Sequence, residues 1–305
     1  MAETDIRDIL FALREDTEKA LRAAEEKYIG SVRHAAEFAA ANGKKIILIA
    51  GPSGSGKTTT SELLTKELCG MGRRATVVST DNFYRSLDDP GYPRDTRGEL
   101  DFESVDALQS DKIIKCMSDI VEGGKTLLPV YDFERGISVP DAVPLCIGKD
   151  DILIIEGIHA FSPLFRDRSS EKYVMRLYVS VSTGICDGDT TLLSGRDIRF
   201  IRRMTRDSIY RATDAKSTYE RWPSVLLGEE TYLYPYKESA DVKIDTFHLH
   251  ELGIIKPFAE KALDASPDLS GAYIDNVRNV LSRFDKIPVD RMSPWSLLRE
   301  FVPNK

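Results

Sequence analysis

The sequence predicts an α/β fold, a doubly wound, mostly parallel sheet with helices on both faces and helical additions at both ends. Three observations carry that expectation. Short apolar or β-branched runs recur at "KIILIA", "ATVVST", "DILIIE", "MRLYVSVS" and "DVKIDTF", separated by stretches of helical period. The first run breaks at once into the glycine-rich "GPSGSGKTT", which opens a helix. A hydrophobic fraction of 42% over 305 residues is enough for a substantial core.

Taken in order, residues 5–42 hold no Gly or Pro before Gly30 and set Ile6, Ile9, Leu10 and Leu13, then Ala20, Leu21 and Ala24, at helical spacing. They read as one or two amphipathic helices, stopped by "ANGKK". A strand from 46 to 50 follows, then a helix from about 58 to 69, a "GMGRR" turn, and a strand over 75–80 that finishes at Asp81. Residues 82–100 are dense in Pro, Gly and charge and read as a long surface loop. "DFESVDALQSDKIIKCMSDIVEGG" reads as a helix stopped by its Gly pair, "TLLPVYDF" as a short strand and turn, and "DDILIIEGIHAF" as a buried strand. "MRLYVSVS" is another strand, an Arg-rich helix covers about 196–212, and "SADVKIDTF" is the last strand. The expected division is an N-terminal helical extension over 1–43, a core over 44–265 with a lid at about 184–230, and a helical tail over 266–305.

Composition excludes several classes. The four cysteines, Cys69, Cys116, Cys146 and Cys186, form no CxxC pair and have no His at metal-ligand spacing, which favours reduced thiols over disulfides or zinc. A net charge of −7 argues against a nucleic-acid-binding surface spread over the protein. No apolar run is long enough to span a bilayer, and the start "MAETDIRDIL" is acidic where a signal peptide is basic. A cytoplasmic protein is expected, with no membrane partner.

Gly51, Gly56, Lys57 and Thr58 satisfy G-x-x-x-x-G-K-[ST], and strand before plus helix after make the match specific. Backbone N–H groups of Ser53, Gly54, Ser55, Gly56, Lys57, Thr58 and Thr59 can converge on phosphate oxygens at a helix N-terminus. Lys57 is suited to the β and γ phosphates and Thr58 offers a hydroxyl to Mg²⁺. The fold is therefore expected to be of the P-loop NTPase type. Two acids end strands, Asp81 after "ATVVST" and Glu156 after "ILII", where ligands of a doubly wound sheet sit. One would hold Mg²⁺ and the other would receive a proton from an attacking hydroxyl; the bland alternative is that both are caps.

Arg199, Arg202, Arg203 and Arg206 fall at i, i+3, i+4 and i+7 on one helix face, an arrangement that suits phosphates beneath it. The bland alternative is a solvated face paired with Asp197 and Asp207. A GTPase reader Asn-Lys-x-Asp is absent from the sequence. "LLSGRD" lacks the second Gly and the Gln of a transporter ATPase signature.

"GPSGSGKTT", "STDNFYR", "LDFESVDAL", "LLPVYDF", "ILIIEGIHAF" and "RFIRRMTRD", in that order, resemble the motif string of the uridine kinase and phosphoribulokinase-like family. The similarity covers about residues 44–303 and extends, through "ERWPSVLLGEETYLYPYKESADVKIDTFHLHELGIIKP" and "SPWSLLREFV", to the kinase module of bacterial uridine kinase-related nucleoside kinases. The resemblance implies ATP and Mg²⁺ as cofactors, Asp81 as general base, Glu156 with Thr58 and Asp81 around Mg²⁺, and Asp101 on ribose hydroxyls. It also implies Tyr84 and Tyr131 near the base, Arg135 and Arg199 on the acceptor side, and lid arginines including Arg202 and Arg206 over the phosphates. Gly136 stands where pyrimidine kinases carry a uracil-reading His, and "STGICDGDTTLLSGRD" is inserted before the lid.

The reading is a kinase acting on a hydroxyl, expected to be the 5′-hydroxyl of a nucleoside. A kinase of another small polyol or sugar phosphate is the first alternative, and a non-catalytic nucleotide-responsive protein the second. The acceptor is small, and a homo-oligomer is left open.

Overall fold

A computed structural model describes residues 2–94, 98–101, 104–132, 135–148, 150–165 and 170–303. Strand β1 (Ala2–Asp5) runs into helix α1 (Ile6–Glu15), whose first turn is capped by the Asp5 carboxylate accepting from the Arg7 N–H at 2.8 Å. Asp16 caps the 25-residue α2 (Thr17–Ala41) in the same way, through the Lys19 N–H. The extension thus holds two helices, and α2 buries Leu21, Tyr28, Val32, Ala35 and Ala36 against the rest of the protein.

Then come β2 (Ile46–Ala50), α3 (Lys57–Gly70), β3 (Ala75–Ser79), α4 (Ser110–Gly123), β4 (Lys125–Asp132), β5 (Ile137–Cys146), β6 (Ile152–Glu156) and β7 (Val174–Ser180). The chain continues through β8 (Thr183–Asp187), β9 (Thr190–Leu193), α5 (Gly195–Tyr210), α6 (Ala215–Tyr232), β10 (Val242–Asp245), α7 (Glu251–Asp264) and α8 (Ala272–Ser282).

The main sheet has the order β10-β7-β2-β6-β3, and every pairing in it is parallel. Every residue of β2 is buried, as a strand covered on both faces requires. Alternation along β2 splits the core: Ile47 and Ile49 face α2, α3 and α7, whereas Ile46, Leu48 and Ala50 face α4 and the aromatics Phe83 and Phe161. Register matters for function. Glu156 pairs with Ile49 of β2 on one side and Ser79 of β3 on the other, so these strands end level with the loop that follows β2.

Three segments depart from the sequence expectations. "TLLPVYDF" forms β4 of a separate antiparallel hairpin with β5, off the main sheet. The α4 helix starts at Ser110, because Leu108 bridges to Tyr84 and residues 105–107 form a tight turn with Ser104 accepting the Asp106 N–H. The inserted segment builds β8 and β9, and β1 adds to β8 in parallel, from Ala2 opposite Thr183 to Asp5 opposite Cys186. The N-terminal extension is thereby tied to the insert. No helix among the described residues is long and apolar enough to cross a membrane.

Candidate active site

The loop between β2 and α3 turns sharply enough that Gly54 sits at φ +73, and a Cβ there would lie 2.9 Å from the Arg199 carbonyl oxygen. A side chain at this position would push the loop off α5. Lys57 folds back over the loop, its Nζ donating to the Gly51 and Pro52 carbonyls at 2.9 and 3.3 Å. Burial lowers its pKa, while Glu156, Glu300, Glu229 and Asp81 oppose that shift. The Ser55 hydroxyl is fully buried and has no partner among the described residues.

A cleft of about 260 Å³ opens beside this loop, with Lys57, Thr58, Asp81, Glu156, Arg203 and Arg206 on its walls. Asp81 stands in the tight turn Thr80–Phe83 after β3, where the Ser79 hydroxyl accepts its N–H at 3.2 Å. Its side chain reaches solvent through the cleft mouth. The surrounding protein still raises its pKa by desolvation, with Lys57 and Arg211 pulling the other way. Glu156 is raised by desolvation, held back by Lys57 and pushed further by Asp81, Glu300 and Glu62. Two carboxylates therefore share one lysine, and an added cation would relieve their repulsion.

Four of the five arginines of α5, those expected on one face, do not share one role. Arg203 and Arg206 line the cleft and pair with Asp207 at 3.3 and 2.8 Å, and Arg203 also donates to the Ser53 hydroxyl at 2.7 Å. Arg199 and Arg202, expected over the acceptor and the phosphates, instead lie beneath the loop, 2% and 0% exposed. Arg199 donates to both oxygens of Glu229 at 2.8 and 2.9 Å and to the Ser53 carbonyl at 2.8 Å. Arg202 pairs with Glu251 and donates to the carbonyls of Gly54 at 3.3 Å and Thr246 at 2.7 Å. The reason is tertiary: α6 and the start of α7 each bring a buried carboxylate under the loop, which the periodicity of α5 alone cannot reveal. Glu229 also accepts the Ser53 N–H at 2.9 Å, so one carboxylate joins the arginine to the loop backbone.

Tyr84 ends the turn that carries Asp81, and its ring centroid lies 5.7 Å from that of Tyr131, tilted by 56°. Tyr92 lies within electrostatic reach of Tyr131 and Asp101; burial foremost, then these two, push its phenol up to about 12. Arg135 is not drawn into this group. It is exposed at the tip of the β4–β5 hairpin and pairs with Asp132, whose carboxylate accepts its N–H at 3.0 Å. Gly136 has φ +66, and a Cβ there would lie 2.4 Å from Leu87 Cδ1, so a side chain here would strain the backbone and have to displace Leu87.

Sequence reasoning missed Glu229, Glu251 and Glu300. Glu229 is one of an adjacent pair of acids, and Glu251 and Glu300 each stand alone among mostly apolar residues. The one available signal was the excess of arginine on α5, which demands buried counter-charge.

Residues 46–252 match the model of the phosphoribulokinase/uridine kinase family. The chain belongs to that family. It is 28% identical over 200 residues to a uridine kinase of Saccharomyces cerevisiae, covering 65% of this chain and 36% of the yeast protein. It is 25% identical over 269 residues to a uridine kinase of Schizosaccharomyces pombe, covering 86% of this chain and 55% of that protein. The chain thus spans about a third to a half of these relatives. Among solved structures, phosphoribulokinase from Rhodobacter spheroides aligns with a TM-score of 0.42 at 17% identity, over 66% of this chain and 70% of that one.

The residues present fit the nucleotide and metal that a P-loop kinase family implies. Glycine-permitted backbone, the partnerless Ser55 hydroxyl and Lys57 suit phosphate oxygens. Thr58, Glu156 and Asp81 supply only hard oxygen donors, and no cluster of three His, Cys, Asp or Glu able to hold a metal occurs among the described residues. Mg²⁺ suits such a site, since it keeps several waters and takes one or two protein carboxylates plus phosphates.

Proposed function

We propose that this family member transfers the γ-phosphate of ATP, with Mg²⁺, to the 5′-hydroxyl of a nucleoside. The observation that carries the reading is the convergence of Asp81 and Glu156 on Lys57 in one cleft at the ends of β3 and β6. A protein that only held nucleotide would need no carboxylate poised beside the γ-phosphate position. Here Asp81 orients the acceptor hydroxyl and takes its proton late in a loose transition state. Desolvation raises its pKa, which makes it a better base than an ordinary carboxylate, and Lys57 and Arg211 oppose that shift. Loop N–H groups and Lys57 hold the transferring phosphoryl group, and Arg203 and Arg206 offset charge that spreads over its oxygens. Thr58 and Glu156 would hold Mg²⁺, which would supply neutralisation of phosphate charge. Asp101 with Tyr84 and Tyr131 forms the sugar and base side.

One observation favours a second acceptor class, a polyol or sugar phosphate: the position of the uracil-reading His is Gly136, at φ +66 with the Leu87 side chain against it. A screen of acceptor-dependent ADP release separates the two. Turnover with nucleosides supports the first reading, turnover with polyols or sugar phosphates alone replaces it with the second, and ATP binding without turnover on any acceptor rejects both.

A further inference from the structure

Residues 293–302 lie outside the segment that matches the family, yet they close on the phosphate loop. Leu297 is fully buried, and its Cδ1 lies 2.5 Å from where a Cβ on Gly56 would be. Glu300 Oε2 accepts from the Thr59 hydroxyl at 3.0 Å. The segment is held to α5 twice, by the Tyr210 hydroxyl donating to the Val302 carbonyl at 2.7 Å and by the Phe301 ring 5.2 Å from the Arg202 guanidinium, and braced within itself by Arg299 donating to the Ser293 carbonyl at 2.8 Å. It is a built wall.

Between this wall and the first turns of α3 is a second cleft of about 360 Å³, bounded by Thr59, Glu62, Leu63, Trp295, Ser296 and Arg299. Thr58 and Glu300 border both clefts, so the two adjoin at the loop. Ser296 is only 3% exposed, and its hydroxyl has no partner among the described residues although the residue lines the cleft. Trp295 is 57% exposed, an unusual waste of apolar surface, with only the Lys66 ammonium set against its ring at 3.6 Å.

We propose that this cleft takes the nucleoside end of the donor nucleotide, with its base against Trp295. The inference rests on the kinase reading above. If the γ-phosphate points toward Asp81 and Glu156, the rest of the nucleotide must leave the loop on the other side, past Thr59 and along α3. That path enters the second cleft. Its volume lies in the range of small-molecule pockets. The indole offers a flat face for any base, while the Glu62 carboxylate offers a polar partner to base edge or ribose. The C-terminal segment would thus set the affinity for the donor.

The test titrates the full chain, in Mg²⁺, with ADP and separately with inorganic tripolyphosphate, for wild type, Trp295→Ala and Trp295→Phe. Trp295 is exposed, so both variants should fold. Trp295→Ala should weaken ADP by about tenfold while tripolyphosphate binding is unchanged. Trp295→Phe should keep ADP affinity within about threefold but lose the fluorescence quench that ADP causes in wild type. Equal ADP affinity in wild type and Trp295→Ala overturns the inference and leaves the kinase reading intact. So does tighter ADP binding in that variant, which would make the tail a competitor, or equal weakening of both ligands, which would make Trp295 a support of the loop. Failure of wild type to bind either ligand removes the kinase reading itself.

Discussion

Removing Glu229 should separate the stability of the fold from the shape of the phosphate loop. Glu229 is wholly buried and accepts from Arg199 at 2.8 and 2.9 Å, from the Ser53 N–H at 2.9 Å and from the Tyr234 hydroxyl at 3.0 Å. In Glu229→Ala the Arg199 guanidinium stays buried without its counter-charge, and breaking a buried pair this way costs about 3–5 kcal/mol. With an unfolding entropy of about 2 cal/mol/K per residue, a chain of this length should lose about 5–8 °C in Tm. Arg199→Met/Glu229→Met replaces both charges with apolar volume and should recover most of that loss. It should not recover nucleotide binding, because the Ser53 N–H and carbonyl would both be left without their partners. The assay is thermal unfolding followed by circular dichroism, beside calorimetric titration with Mg²⁺-ADP. A single variant that melts with wild type, or a double variant that binds ADP like wild type, would refute the reasoning.

Two further outcomes follow from the same geometry. Asp101→Ala should raise the acceptor KM by about ten- to a hundredfold, from about 1.5–3 kcal/mol of charged hydrogen bonding, with the ATP KM nearly unchanged in steady-state kinetics; equal shifts in both would place Asp101 in the fold. Acid should destabilise the protein through His159 and His248, buried and held down to about 4 by desolvation, with Arg202 adding to the effect at His248. Their folded pKa lies below the unfolded value, so the unfolded chain takes up protons first, and stability that is full above about pH 6.5 falls as pH drops toward 4. Each should cost roughly 2 kcal/mol by pH 5. Urea unfolding at pH 7 and pH 5, with His159→Phe losing its share of the difference, checks this; an identical pH dependence in that variant counts against it.

How far the sequence could be read differs by element, for physical reasons. Strands β2, β6 and β7 were legible because they are buried on both faces, the edge strands β3 and β10 because their β-branched runs are bounded by turn residues, and the loop because phosphate binding dictates glycine at fixed spacing. Asp81 and Glu156 followed, since their place at strand ends is a local fact. The hairpin was only half legible: β5 carries Pro140, Asp141 and Pro144, with Asp141 at φ +51, and these break the usual strand pattern. The joining of β1 to β8 depends on two segments about 180 residues apart, which no window of local pattern contains. The arginines of α5 were found, but Arg199 was assigned to the acceptor and Arg202 to the phosphates, because the carboxylates that claim them come from other helices.

The central claim is that the cleft transfers phosphate and does not merely hold it, and Asp81→Asn addresses that claim most directly. The amide keeps the shape of the side chain but cannot accept the acceptor's proton. Calorimetric binding of Mg²⁺-ATP and acceptor-dependent ADP release should be measured on wild type and variant together. The account predicts ATP affinity within a few-fold of wild type and a kcat lower by about 10² to 10⁴. Unchanged turnover would contradict it by removing Asp81 from the chemistry, and joint loss of binding and turnover would contradict it by making Asp81 a support of nucleotide binding or of the fold instead of the base.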